Sequence, residues 1–280
     1  PISYDIAQAI RYGAGLPNDS GRISPTALAP IFNLSLGQRN AECPQVYADA
    51  LAAARARGVI LIIATGNSNT LAGAPSPCPG VVGVSATDFV NQKAGYSNYG
   101  PFVDVAAPGG DVAVDRNGDG IPDGVASTDY DDSSGNRQPV FAVKDGTSMA
   151  APHVAGVAAL MKAAHPGLTP EQFDQALMSG ALTVDLAGNG ASVRDDLFGY
   201  GLIDAVKAVT EARRLAGGAA TPGVLVAQPT ALELGSTANQ AQFDLVNAGQ
   251  GAIGAVQAIA NQRWVSLVPP AGGGAGRWTV

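Results

Sequence analysis

From Ala150 to Met161 apolar residues fall on every side of a helical wheel, and no charge appears before Lys162. A helix apolar all round belongs in the interior of a sizeable protein. Upstream, short stretches near Phe32–Leu36, Val59–Ala64, Val81–Ser85 and Val103–Ala106 have the length of strands. Helical spacing separates them, over Ser3–Gly13 with Ser3 as N-cap, over Pro44–Arg57, and over Ser148–Ala164. This order predicts the α/β class, with a mostly parallel sheet covered by helices on both faces. Thr169-Pro170-Glu171-Gln172 carries an N-cap, a proline at the first helical position and a glutamine at the third, so another helix starts there. A last one is predicted from Ile203 to Arg214.

After Arg214 the texture changes. Residues 1–214 read as one domain, and 215–223 (Leu-Ala-Gly-Gly-Ala-Ala-Thr-Pro-Gly) as a small-residue linker. Residues 224–280 show the alternations Leu232-Glu233-Leu234, Phe243–Val246 and Trp264–Val268, split by turn clusters at 247–251 and 269–274. They end on the strand-like Arg277-Trp278-Thr279-Val280. This pattern predicts part of an all-β, immunoglobulin-like sandwich module, truncated at this length. Contact with a cell wall, with substrate or with the first domain is the role such a module suggests.

Composition narrows the classes. With 46% hydrophobic and 14% charged residues the chain is apolar enough for a large core and unlike a disordered one. A net charge of −7 argues against a nucleic-acid partner. No segment reaches the ~18 uninterrupted apolar residues of a membrane span.

The candidate chemistry starts at Ser148. A serine on the first turn of a helix sits among free N–H groups at the positive end of the macrodipole, which suits a nucleophile whose attack creates an oxyanion. An N-cap is the competing reading. The surrounding residues decide between them. Gly146-Thr-Ser-Met-Ala-Ala-Pro-His-Val-Ala-Gly156 resembles the nucleophile signature of the subtilisin-like serine proteases, the subtilases. Ile31–Gly37, Val59–Asn67, Tyr96–Pro101, Val105–Gly109 and Gly199–Asp204 resemble later landmarks of that family in the family's order, over roughly residues 1 to 215.

The resemblance implies a secreted serine endopeptidase acting on polypeptides through an acyl-enzyme on Ser148. It makes Asn67 the side-chain donor of the oxyanion hole, beside the backbone N–H of Ser148; taken alone, Gly66-Asn67 reads as a turn. Ser35-Leu36-Gly37 and Ala64-Thr65-Gly66 become the two walls of the pocket for the residue before the cleaved bond. Small walls imply a roomy, largely apolar pocket and broad specificity, its base lying in the Asn69–Cys78 loop. The family's Asp and His motifs do not occur here. Both histidines follow Ser148. His153 lies about 140° round the helix and about 7.5 Å up it, so it is expected to point away from the hydroxyl, and the resemblance makes it a buried packing residue. His165 ends the helix. The chain therefore reads as the later part of a longer protease, nearly inactive alone. A catalytically dead binding protein, or a calcium-dependent adhesion protein, is the alternative.

Two further sites follow. Cys43 precedes the second helix and Cys78 the third strand, positions the subtilase fold can bring together; an even count in a secreted protein favours a disulfide over two free thiols. Asp115, Asn117, Asp119 and Asp123, with the Ile121 carbonyl, match the first part of a structural calcium loop, and a solvated acidic turn is the alternative. Ala126 stands where an EF-hand has its glutamate, and a further ligand would come from Asp111, Asp129, Asp131 or Asp132.

Overall fold

The computed structural model describes residues 2–24, 26–39, 42–133, 135–217, 225–228, 240–247, 267–270 and 276–279. The chain divides into two units, Pro1–Ala212 and Arg213–Val280. In the first, the strands β1 (Ile31–Leu34), β2 (Ile60–Ala64), β3 (Val82–Thr87) and β4 (Val105–Pro108) pair in parallel, in that spatial order. Helices α1 (Ile2–Gly13) and α2 (Gln45–Arg55) precede β1 and β2. Two short strands, β7 (Thr183–Val184) and β8 (Leu202–Ile203), extend the sheet beyond β4 in the order β8, β7. β8 is parallel to β4 and antiparallel to β7.

The reason β2 reads as an unbroken apolar run is that both its faces are covered. All five of its residues are buried. Alternate side chains of a strand point to opposite faces. Leu61 and Ile63 accordingly join Tyr47, Leu51 and Ala54 of α2 and Ala7 and Ile10 of α1 in one apolar cluster. Helix α3 (Thr147–Ala164) packs across β1, β2, β3 and β4. Full burial of each such isoleucine or leucine stabilises by about 1.5–3 kcal/mol. The Cys43–Cys78 disulfide is formed and ties the entrance of α2 to the approach to β3. Its sequence separation of 35 corresponds to a chain-entropy contribution of about 4 kcal/mol.

Helix α4 (Pro170–Met178) begins with the expected capping box: the Gln172 N–H donates to Thr169 Oγ1 at 3.2 Å, and the Thr169 N–H donates to Gln172 Oε1 at 2.9 Å. Helix α5 (Ala205–Leu215) starts two residues later than the sequence pattern suggests, because Leu202 and Ile203 are taken into β8. A separate antiparallel hairpin joins β5 (Val125–Asp131) to β6 (Gln138–Lys144) immediately before α3.

One expectation about α3 fails. Ala150, Ala151, Val154, Val157, Ala158 and Met161 are buried against the sheet, but Gly156 and Ala159 are exposed and Leu160 is 50% exposed. Only the face turned to β1–β4 is covered among the described residues, so apolarity all round the wheel does not correspond to burial all round.

In the second unit, β9 (Leu225–Gln228), β10 (Gln242–Asn247) and β11 (Gly276–Thr279) form an antiparallel sheet with β10 in the centre. Phe243 stacks on the buried Trp278 with ring centroids 6.3 Å apart. The alternation at Leu232–Leu234, most of Trp264–Val268, most of the 247–251 and 269–274 turns, and residues 218–223 of the linker lie outside the described residues.

Candidate active site

Gly146 sets the entrance to α3. Its φ is +143°, and a Cβ there would stand 2.9 Å from Asn67 Nδ2, so glycine is required both by backbone and by space. Its N–H donates to the Gly109 carbonyl at 3.0 Å and to the Tyr96 hydroxyl at 2.8 Å, while that hydroxyl donates to the Gly110 carbonyl at 2.8 Å. Burial pushes the Tyr96 phenol up, well above its ordinary range. It therefore stays protonated and keeps the turn before Ser148 fixed to the end of β4.

Ser148 is the second residue of α3, with Gly146 as the N-cap. Its backbone N–H belongs to the first turn, where a helix supplies no internal acceptor. Its hydroxyl donates to the Ser35 carbonyl at 3.4 Å, and the Ser35 hydroxyl donates to the Ser148 carbonyl at 2.9 Å. The second contact has a cause in the sequence. Pro152, four residues on, lacks the N–H that would otherwise bond that carbonyl within the helix.

Asn67 follows β2 on a turn held from both sides. Its Oδ1 accepts from the Thr147 N–H at 2.9 Å and the Thr147 hydroxyl at 2.7 Å, and that hydroxyl accepts from the Gly66 N–H at 3.0 Å. With the oxygen held by the buried Thr147, the amide nitrogen is the end left for the cleft. Asn98 grips the same turn. Its Nδ2 donates to the Thr65 carbonyl at 2.9 Å, and its Oδ1 accepts from the Ser68 and Thr70 N–H groups at 2.8 and 3.2 Å. Its own N–H donates to the Gly66 carbonyl at 2.9 Å. Gly66 has a φ of +106°, and a Cβ there would meet Asn98 Nδ2 at 2.5 Å. Lys93 braces the next residues: Nζ donates to Asn69 Oδ1, the Ala94 carbonyl and the Ser97 carbonyl at 2.9–3.1 Å, and burial pushes its pKa down.

Two cavities meet at Ser148. One, of about 240 Å³, is bounded by Leu36 and Gly37 on one side, Ala64, Thr65 and Gly66 on the other, and Asn67, Thr147 and Ser148 at the head. Ser35 reaches Ser148 through the two bonds above. The cavity is not the largely apolar slot expected from its small walls. Gln38, Arg39, Ser68 and Asn98 also line it. The second cavity, of about 440 Å³, lies between the β5–β6 hairpin and α3, and includes Ser148, Met149, Pro152 and His153. His153 is exposed rather than buried, and its Nδ1 lies 2.8 Å from the Met149 carbonyl. It occupies the uncovered face of α3, which is why the packing role expected for it is not observed. No hydrogen bond joins it to Ser148 among the described residues.

The acidic loop forms a hydrogen-bonded mesh. Asp115 accepts from the Gly118 N–H at 2.7 Å and the Gly120 N–H at 2.9 Å, Asn117 Oδ1 from the Asp119 N–H at 3.0 Å, and Asp119 Oδ1 from the Ile121 N–H at 2.8 Å. Asp123 is buried and accepts from the Arg116 N–H at 2.7 Å. Of the further ligands considered, Asp129 pairs with Lys144 at 2.6 Å, while Asp111 and Asp131 cap their own turns through the Ala113 and Ser133 N–H groups. Among the described residues no three His, Cys, Asp or Glu side chains gather as a metal site.

Asp104 immediately precedes β4. Its Oδ2 accepts from the Gly83 N–H at 2.7 Å, and burial pushes its carboxyl up to about 6 in spite of that bond and the nearby Arg194. The sequence pattern alone gives no site role to Asn98, Tyr96, Thr147 or Arg39. The one signal available for the Ser35 contact was Pro152, four places after Ser148.

A family model described as the subtilase family matches residues 3–201. An extracellular protease of Xanthomonas campestris pv. campestris is 35% identical over 211 residues, covering 74% of this chain and 33% of that protein. A thermophilic serine proteinase of Bacillus sp. (strain AK1) is 35% identical over 208 residues, covering 74% of this chain and 41% of its own length. Among solved structures, one of the proteases from Pseudoalteromonas arctica PAMC 21717 superposes with a TM-score of 0.64 at 34% identity, covering 75% of this chain and 59% of that one. The chain thus spans about a third of the length of the first of these curated relatives.

Proposed function

This chain belongs to the subtilase family, and we propose that it carries the nucleophile and oxyanion-binding half of a secreted serine endopeptidase acting on polypeptides. Ser148 Oγ would attack the scissile carbonyl. The new oxyanion would be met by Asn67 Nδ2 and the Ser148 N–H, donors held in place before any charge develops. The observation that carries this reading is the double hold of Thr147 on Asn67 Oδ1 at the rim of the cavity that contains Ser148. Loss of one such donor costs about 10²–10³ in kcat, a magnitude that comes from subtilisin itself.

The attack also needs a base to take the hydroxyl proton and a group to orient that base. Ser148 Oγ reaches a carbonyl instead. Base and orienting carboxylate would come from residues outside these 280, placed at the open cavity that His153 and Pro152 line. Extracellular location is carried over from the names of relatives. A fluorophosphonate tests the reading: labelling of Ser148 should be slow in this chain and fast in a protein that also contains the preceding segment. Equal labelling of both would refute the missing base. No labelling of either would favour an inactive binding protein.

The calcium reading of 115–123 belongs here too. Oxygen side chains at alternate positions support it, as does the way Asp115 draws in the Gly118 and Gly120 N–H groups and curls the loop about one centre. Binding would require Asn117 and Asp119 to exchange their mutual contact at 3.0 Å for the cation.

A further inference from the structure

We propose that Arg39 makes this cleft select an acidic side chain, aspartate or glutamate, for the substrate residue whose carbonyl Ser148 attacks. The inference rests on the reading of Ser148 and Asn67 given above. A carbonyl held between those two groups has its own residue's side chain starting two bonds away, attached at the next carbon. The space open to that side chain is the cavity between Leu36–Gly37 and Ala64–Gly66. Gly37 and Gly66 keep its edges free of side chains, so a peptide backbone can lie along them.

Among the residues that line this cavity, Arg39 is the one with a full charge. It is a cation in a chain of net charge −7, and no ion pair includes it among the described residues. The contrast with Arg55 is informative: that guanidinium is held by Asp174 at 2.6 Å and Glu171 at 3.2 Å. Arg39 is exposed and has its five donors available. A planar guanidinium takes a carboxylate through two parallel hydrogen bonds, which a carboxamide of the same shape cannot match.

The backbone that carries Arg39 is anchored on both sides. Before it, the Gln38 N–H donates to the Ala74 carbonyl at 2.7 Å and the Gln38 side-chain amide donates to Ser3 Oγ at 2.9 Å. Beyond it, Cys43 is bonded to Cys78. The guanidinium is thus tethered to a fixed rim and lies within reach of one cavity. The two glycine-edged walls say little about specificity; the charge on the rim says more.

The test uses C-terminally amidated peptides Ala-Ala-Pro-Xaa that differ at Xaa, with Asp and Asn as the isosteric pair and Leu as the apolar control. Binding to the ¹⁵N-labelled chain is read from the backbone amide shifts of Gln38, Gly66 and Ser68, which report occupancy of this cavity and not of another. The Asp peptide should bind about tenfold more tightly than the Asn peptide, as hydrogen bonds to charged groups allow. That ratio should fall to about one in Arg39→Gln and should shrink with added salt in the native chain. Equal binding of the Asp and Asn peptides, or a preference that survives Arg39→Gln, would overturn the role of Arg39 while leaving the cleft in place. If no peptide moves those three amides, the cleft assignment and the selectivity both fall.

Discussion

Replacing Asp104 by asparagine should make the protein more stable at pH 8, not less. The carboxyl titrates at about 6 in the folded chain against 3.8 for an ordinary aspartate, chiefly because burial penalises its charge. Between those values the folded state binds more protons than the unfolded one. Stability therefore falls as pH rises through the window from about 4 to about 6. That rise corresponds to about 3 kcal/mol at most. The side chain keeps some contact with water, which reduces the expected cost of the ionised form to about 1–2 kcal/mol. Asparagine retains an oxygen for the Gly83 N–H at the same place. At pH 4 the two proteins should unfold together. At pH 8 the variant should gain about 2–8 °C in thermal unfolding followed by circular dichroism. A variant less stable than the native chain at pH 8 would refute the reasoning, because it would mean that Arg194 stabilises the ionised carboxylate by more than burial disfavours it.

Asn98→Ala should lower stability by about 2–3 kcal/mol, since it leaves the Thr65 carbonyl and the Ser68 and Thr70 N–H groups without their partner. It should also slow fluorophosphonate labelling of Ser148; a variant with lost stability but unchanged labelling per folded molecule would show that Asn98 does not orient Asn67. Calcium at about a hundred times its dissociation constant should stabilise the chain by about 2.7 kcal/mol, read as a higher melting temperature than in chelator. The difference should vanish in Asp115→Ala, and identical melting of the native chain with and without calcium would end the metal reading of the loop.

Much of the framework was legible because β2 is covered on both faces and so appears in the sequence as an uninterrupted apolar run. The same feature misled at α3, where the residues at 156, 159 and 160 are apolar although no described element covers them. Periodicity registers which residues tolerate burial, and it is silent on whether a neighbour is present. β7 and β8 have two residues each, too few for any alternation to register. At the site, the positions of Asn67 and Ser148 followed from the order of motifs. Their supports did not, because Asn98 lies 30 residues from Ser68 and Tyr96 lies 50 from Gly146, and nothing local ties such pairs. In the sequence Arg39 is one charge among 16 basic residues, and nothing local marks it as lining the cavity. The acidic loop has the spacing of a metal site, and the backbone N–H groups that its oxygens accept from are not visible in that spacing.

A proline inside a helix is usually read as a defect, a rung removed from the ladder. At position 152 the missing rung faces the cleft, and the carbonyl it frees becomes the point where Ser35, just after β1, is fastened to the helix, 113 residues away in sequence. Two segments that diffuse independently in the unfolded chain are thereby clamped into one frame beside the Ser148 hydroxyl. A regular alanine in that place would mend the helix and unfasten the cleft.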